Sequence, residues 1–228
     1  SSDLNFDQFS ISPKAYWRRN DDEFLLDYTD PAFYQNIHQT DVYGFDLSSS
    51  IQSLLGTTSF GGEYSKDIIT STNLGDYSRI KTRFFFEHNL PEIKNLSAAL
   101  GSSLFYYSDW DWHFYPGAAI GYKISNRTYL YSSIEKAFRV PSYTELHLSS
   151  PANIGNPELT PENALSFETG IKMVRGSILT DVSAFIRKQK NIIDWVRATS
   201  GDPWRAENLG EVAVKGLDVN ITFKSVSY

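Results

Sequence analysis

An alternation of period two, recurring along the whole chain, is the feature that most restricts the fold. In LSFETGIK, Leu165, Phe167, Thr169 and Ile171 fall on one side of an extended backbone, and Ser166, Glu168, Gly170 and Lys172 on the other. Phe9, Ile11, Pro13, Ala15 and Trp17 alternate in the same way with polar neighbours, although Pro13 suits a centrally paired position poorly. Tyr43, Phe45 and Leu47 repeat the pattern, and Ile80, Thr82, Phe84 and Phe86 oppose Arg79, Lys81, Arg83 and Glu87. It returns at Leu96–Leu104, Ile120–Ile124, Thr180–Ile186 and Leu217–Phe223. No segment has the three-to-four spacing of an amphipathic helix, so the chain reads as about ten strands, many longer than the roughly 5–6 residues usual in soluble sheets.

The connections alternate in length. Short ones fall near Leu55–Thr58, Leu90–Asn95, Ser125–Arg127 and Val174–Ser177. Longer ones, rich in aromatics, acids and Pro, span Asn20–Asn36, Ile69–Tyr77, Ser108–His113, Arg139–Pro161 and Asn191–Leu209. In an up-and-down antiparallel meander every other turn lies on the same rim, so one rim is trim and the other elaborate, the pattern of outer-membrane barrels. Strands of about 9–11 residues or more are what a tilted crossing of the hydrocarbon layer needs. The expected fold is therefore all-β: a partial, antiparallel up-and-down transmembrane β-barrel, with residues 1–228 as one barrel segment. Phe167 and Ile171 face lipid in this reading, and Glu168 and Lys172 face the lumen. Because an open sheet edge cannot survive in lipid, the sheet must close.

Composition narrows the function. With no Cys there is no thiolate catalysis and no disulfide framework. A net charge of −6 with scattered Lys and Arg excludes a nucleic-acid grip. No apolar run approaches the roughly 20 residues of a spanning helix, which says nothing against a membrane barrel.

AFRVPSYTELH (Ala137–His147) followed by GNPELTPENALSFETGIK (Gly155–Lys172) resembles the segment that recurs in the barrels of TonB-dependent outer-membrane receptors: an Arg-x-Pro-Ser element, an Asn-Pro-x-Leu-x-Pro-Glu element and a Glu-x-Gly strand. YQNIHQTDVYGFDL, GGEYSKDIITSTNLGDYSR and EHN at Glu87–Asn89 look like such barrels from Bacteroides-type bacteria, and NIIDWVR with WRAENLGEVAVKGLDV is similar to the cobalamin-receptor branch. The resemblance implies an outer-membrane location in a Gram-negative bacterium and a parent barrel of about 22 strands. It also implies an N-terminal plug, not visible here, through which TonB acts. The ligand would be cobalamin first and a ferric siderophore second, with a surface lipoprotein as a further partner and no obligatory cofactor.

Ligand capture belongs on the elaborate rim, because loops on a rigid scaffold carry recognition. The candidates are Tyr107, Trp110, Trp112 and His113, then Tyr143 and His147, then Trp195, Arg197, Trp204 and Arg205, whose flat faces and forked donors suit a planar, amide-bearing or anionic ligand. Against each aromatic stands the interfacial girdle of any membrane barrel, and Trp195 and Trp204 could form a cross-strand pair. Asp21, Asp22, Asp27 and Asp30 could hold calcium, as acidic loops do in some receptors the chain resembles, but without EF-hand spacing a solvated acidic loop competes. His38, His113 and His147 with Asp109 and Asp111 raise the question of a rim protease; no Ser/His/Asp order or metal-spaced His pair stands out, so no catalytic residue is assigned. An adhesin, a passive porin-like barrel and a soluble β-sandwich are the rival classes.

Overall fold

The computed structural model describes residues 4–25 and 27–224. Its strands are β1 (Leu4–Phe6), β2 (Phe9–Leu25), β3 (Gln35–Ser53), β4 (Gly56–Ser71), β5 (Gly75–Asn89), β6 (Leu96–Tyr107), β7 (Asp111–Ser125), β8 (Thr128–Arg139), β9 (Asn153–Ile154), β10 (Glu162–Arg175), β11 (Ile178–Val196) and β12 (Trp204–Phe223); one short helix, α1 (Tyr143–His147), precedes β9. All lie in one sheet, ordered β1-β2-β3-β4-β5-β6-β7-β8-β10-β11-β12-β9. Every pairing is antiparallel except the two-residue parallel contact of β9 with β12. Sequence neighbours are spatial neighbours, as in an up-and-down meander. The sheet is not closed among the described residues: β2 carries only β1 on its outer edge, and β12 only β9. Pro13 sits where β2 is paired with β3 alone, so its missing N–H removes no second ladder.

Ten of these strands run from 12 to 20 residues, or about 40–65 Å at roughly 3.3 Å per residue. That exceeds the hydrocarbon layer, and the excess lies on the elaborate rim. Here the structure corrects the sequence reading of the connections. The chain between β4 and β5 turns within Thr72–Leu74, and between β6 and β7 within Ser108–Trp110. Likewise β11 continues to Val196 and β12 begins at Trp204. Beyond the lipid the outer face of a strand no longer meets hydrocarbon, so the apolar alternation fades while the backbone ladder continues.

The registers place the two faces as the alternation predicts. Phe167 lies opposite Ile134 on β8 and Ile186 on β11, and all three are exposed on the outer surface. Leu217, Val219, Ile221 and Phe223 continue this surface along β12, with Leu217 at 76% exposure and Phe223 at 73%. A soluble sandwich would press such a surface against a second sheet; here there is one layer, and its apolar side meets lipid. On the other face the charges pair across strands: Lys81 with Asp67, Lys172 Nζ with Asp181 at 3.6 Å, and Arg79 Nε with Asp109 at 2.8 Å. The Tyr131 hydroxyl donates to Glu168 at 3.2 Å or Asp181 at 3.0 Å, and Tyr16 donates to Glu63 at 2.7 Å.

Tyr131 also lies flat over Gly170, its partner on β10. A Cβ at Gly170 would sit 2.5 Å from the Tyr131 ring and hydroxyl oxygen, and the ring cannot retreat without dropping its carboxylate partners. Gly170→Ala is therefore expected to cost about 1–3 kcal/mol, measured by urea unfolding of detergent-folded protein, and to cost almost nothing in a Tyr131→Ala background. An equal cost in both backgrounds would remove the ring as the cause.

Candidate functional site

The elaborate rim is organised by residues 140–161, a strap that leaves β8, reaches β5 and ends beside β12. Its start is set by chemistry legible in PSYTE. Ser142 caps α1 by accepting from the Glu145 N–H at 3.2 Å, and the Glu145 carboxylate accepts from the Ser142 N–H at 2.7 Å, a reciprocal capping box. Arg139, the last residue of β8, grips Glu145 through two nitrogens at 2.9 and 3.0 Å and Glu162, the first residue of β10, at 2.6 Å. Glu162 in turn accepts from the Ile193 N–H of β11 at 2.7 Å. One guanidinium thus ties both ends of the strap to three strands. Burial alone would raise the Glu145 carboxyl, but Arg139 and the Ser142 donors hold it below the usual carboxylate range.

The return path is equally specific. Gly155 passes so close to α1 that a Cβ would lie 2.7 Å from the backbone of Leu146 and His147, leaving room for no other residue. Asn208 accepts from the Thr160 N–H at 2.8 Å and donates to the Thr160 and Asn191 carbonyls. Leu146, Leu159, Ile193 and Ala206 form a small buried core under the strap, with Trp110 and Trp195 packed against it. The Arg-x-Pro-Ser and Asn-Pro-x-Leu-x-Pro-Glu elements are, physically, the two halves of this clamp.

At the β5 end lies a buried cation that the sequence reading placed only as a lumen charge. Arg79, 4% exposed, donates to Asp109 and, at 3.1 Å, to the Pro141 carbonyl, between the rings of Trp110 and Tyr143 at 4.6 and 4.7 Å. His147 stacks on Tyr77 with centroids 3.7 Å apart and planes 7° from parallel. Burial first, and the nearby Arg79 charge second, hold the His147 imidazole below its ordinary pKa, with Asp109 opposing. Burial pushes the Tyr143 hydroxyl up to about 12.

The ten candidate residues divide by place. Tyr107, Trp110, His113, Tyr143 and His147 gather on the inner side of the rim: Tyr107 is buried against Phe138 and Trp110, and the His113 ring nitrogen lies 2.7 Å from the Trp110 carbonyl. Trp110 donates its indole N–H to Leu159. Trp112 lies on the outer face beside Tyr106 and Phe84, half exposed, in the position of a girdle residue. Trp195 and Trp204 are not opposite one another; Trp195 faces Ala206, and Trp204 instead carries the Arg197 guanidinium 4.5 Å above its ring. Arg205 lines an open cleft with Asn156, Pro157 and Glu158. The four acids of the calcium reading do not assemble: Asp21 accepts from Gln39, Asp27 from Thr29, and the described residues contain no cluster of three or more His, Asp or Glu side chains able to hold a metal.

A single-layer meander, greasy outside, charged inside and elaborated on one rim, is the wall of an outer-membrane β-barrel. The family model for TonB dependent receptor-like β-barrels matches residues 2–228, and the chain belongs to that family. Among curated proteins it is 28% identical over 94 residues to the vitamin B12 transporter BtuB of Vibrio vulnificus strain YJ016, an alignment covering 41% of this chain and 15% of that one. Among solved structures it resembles the siderophore receptor PirA of Pseudomonas aeruginosa, with a TM-score of 0.82 at 14% identity, covering 96% of this chain and 44% of that one. The hemophore receptor HasR of Serratia marcescens gives 0.77 at 17%, covering 96% and 44%. The chain thus spans less than half the length of these proteins. Family membership places it in the outer membrane of a Gram-negative bacterium.

Two outcomes follow from the clamp. Arg139→Ala should release the strap at a cost of about 1–2 kcal/mol, a figure discounted because nearly half of the side chain is in water; limited proteolysis between His147 and Asn153 reads the release. Since the His147 pKa is depressed when the strap is docked, protonation favours the undocked form. Strap stability is full above the ordinary imidazole value near 6.5 and falls as pH drops below it. Cleavage should accelerate between pH 7.5 and 5.5, and less so in His147→Phe.

Proposed function

We propose that this chain is the wall and external rim of a TonB-dependent receptor that imports a scarce, bulky nutrient, with cobalamin as the first ligand and a ferric siderophore as the second. The observation that carries the reading is the pairing of a charged, water-compatible inner face with a rigid aromatic rim, on a chain of this family whose curated relatives include vitamin B12 transporters. Siderophore receptors share its fold at 14–16% identity, which keeps that ligand class second.

The work assigned to the residues is binding and gated passage, with no hydrolytic or redox step. Trp204, Arg197 and Arg205 stand exposed at the end of the β11–β12 hairpin and supply a flat apolar face and two forked donors to an arriving ligand. Trp110, Tyr143 and Arg79 hold the strap that frames the mouth. Inside, Arg83, Glu87, Glu168 and Arg187 offer a polar lining to a plug domain, through which TonB transmits the proton-motive force. A surface lipoprotein over the rim completes the assembly.

Titration of the full-length receptor with cyanocobalamin and with ferric siderophores tests the ligand. The Arg197→Ala/Trp204→Ala variant is expected to weaken binding about 30-fold with unchanged folding, whereas Trp195→Ala should loosen the strap. Passive solute flux with no saturable binding of either ligand class would replace this reading with a porin-like one.

A further inference from the structure

On the inner face, two opposed charge pairs of β4 and β5 are both left unmade. Asp67 stands directly across from Arg79, and Glu63 across from Arg83. Directly opposed side chains of an antiparallel pair have Cβ atoms about 5 Å apart, within easy reach of a guanidinium. Yet Arg79 turns toward the rim, to Asp109 at 2.8 Å and the Pro141 carbonyl at 3.1 Å. Its place beside Asp67 is taken by Lys81, the next inward residue of β5 away from the rim. Glu63 accepts from the Tyr16 hydroxyl at 2.7 Å, while Arg83 lies over the rings of Phe85 and Phe105. Three atoms of this set are left incomplete: Arg79 Nη2, Asp67 Oδ1 and Arg83 Nε are buried without a hydrogen-bond partner.

Beside Arg79 the wall opens a recess of about 340 Å³ toward the lumen, lined in part by Tyr16, Arg18, Glu63, Asp67, Lys81 and Arg83. Three cations share it with two carboxylates, and each carboxylate is already engaged, Glu63 by Tyr16 and Asp67 by Lys81. Neither Arg18 nor Arg83 has an acidic partner within 4 Å among the described residues. An anion entering the recess therefore meets Arg18 and an unused donor on Arg83, with Lys81 able to turn from Asp67 and join them.

We propose that this recess binds an anionic group, a carboxylate or a phosphate, and that its occupancy unlocks the strap at the rim through Arg79. When the anion draws Lys81 away, Asp67 loses its cation, and the Arg79 guanidinium directly opposite replaces it by turning about its own side-chain bonds. That turn gives partners to both Arg79 Nη2 and Asp67 Oδ1. It also removes from the Pro141 carbonyl and the rings of Trp110 and Tyr143 the charge that holds the strap. Asp109, 32% exposed and also accepting from Ser108 at 2.6 Å, is left to water at little cost. Two carboxylates compete for one guanidinium, so the recess and the rim bias a single equilibrium in opposite directions. An empty recess keeps Lys81 on Asp67 and the strap closed. The proposal does not depend on which nutrient the receptor imports.

Limited proteolysis of the detergent-folded full-length receptor between His147 and Asn153, at constant pH and ionic strength, reads the strap. Citrate and pyrophosphate are the probes, with chloride as the control, and together they separate a carboxylate site from a phosphate site. At least one of the two should accelerate cleavage about fivefold and saturably, and Arg18→Gln should raise the concentration needed. Lys81→Gln should accelerate cleavage with no anion added, because Asp67 is then free to draw Arg79. Asp67→Asn should abolish both effects, which a merely local loosening by Lys81→Gln would survive. Lys172→Gln, which frees Asp181 elsewhere on the inner face, should leave the strap unchanged. Heat-dependent gel mobility confirms folding of each variant. No saturable response to either anion, or acceleration that persists in the Asp67→Asn/Lys81→Gln double variant, would overturn the proposal.

Discussion

Everything in this structure depends on the backbone ladder, because hydrocarbon offers no water to an orphan N–H or C=O. Satisfying every group from a neighbouring strand forces extended segments into continuous register, and the observed pairings run almost without interruption from β2 through β12. Once the strands are in register, side-chain direction follows from the period of two, and every residue is committed to lipid or lumen by its parity alone. The same constraint makes the free edges of β2 and β12 costly in lipid and acceptable only when covered.

Inside, the cost of placing charge on a partly sheltered wall is met by cross-strand pairing. Asp67 faces Lys81, Asp181 faces Lys172, and Tyr131 links two carboxylates by a hydroxyl. The rim works differently. Its strap has no long ladder, so it is held by two guanidinium groups: Arg139, which ties Glu145 and Glu162, and Arg79, which is buried between aromatic rings. A small apolar core and a capping box finish the job. The rim is thus a rigid frame on which the exposed Trp204 and Arg197 are displayed.

Which parts were visible beforehand follows from the range of the interactions. Alternation is a local signal, so Phe167, Ile186, Glu168 and Lys172 could be assigned faces one strand at a time. Strand ends were not, because Ile69–Ser71 and Asn191–Val196 run above the lipid belt, where Ile69, Ser71 and Ile193 are buried within the rim and no lipid-facing apolar stripe marks the strand. The helix at Tyr143–His147 was not expected, because five residues are too few for periodicity to register, although Ser142 and Glu145 stand at the spacing of the capping box that the structure shows. Arg79 was legible as an inward charge, but its partners Asp109, Trp110, Pro141 and Tyr143 come from two other segments, and no spacing within the chain announces that meeting.

The sequence by itself determined an all-β membrane wall, the sense of its two faces and the family it resembles, since each depends on residues close together along the chain. Only the tertiary structure decided that the motif residues are a clamp, that Trp204 partners Arg197 while Trp195 packs inward, and that Arg79 is buried between the rings of Trp110 and Tyr143. Those facts depend on register between strands and on where ladders stop, which are properties of pairing across space that no single strand encodes.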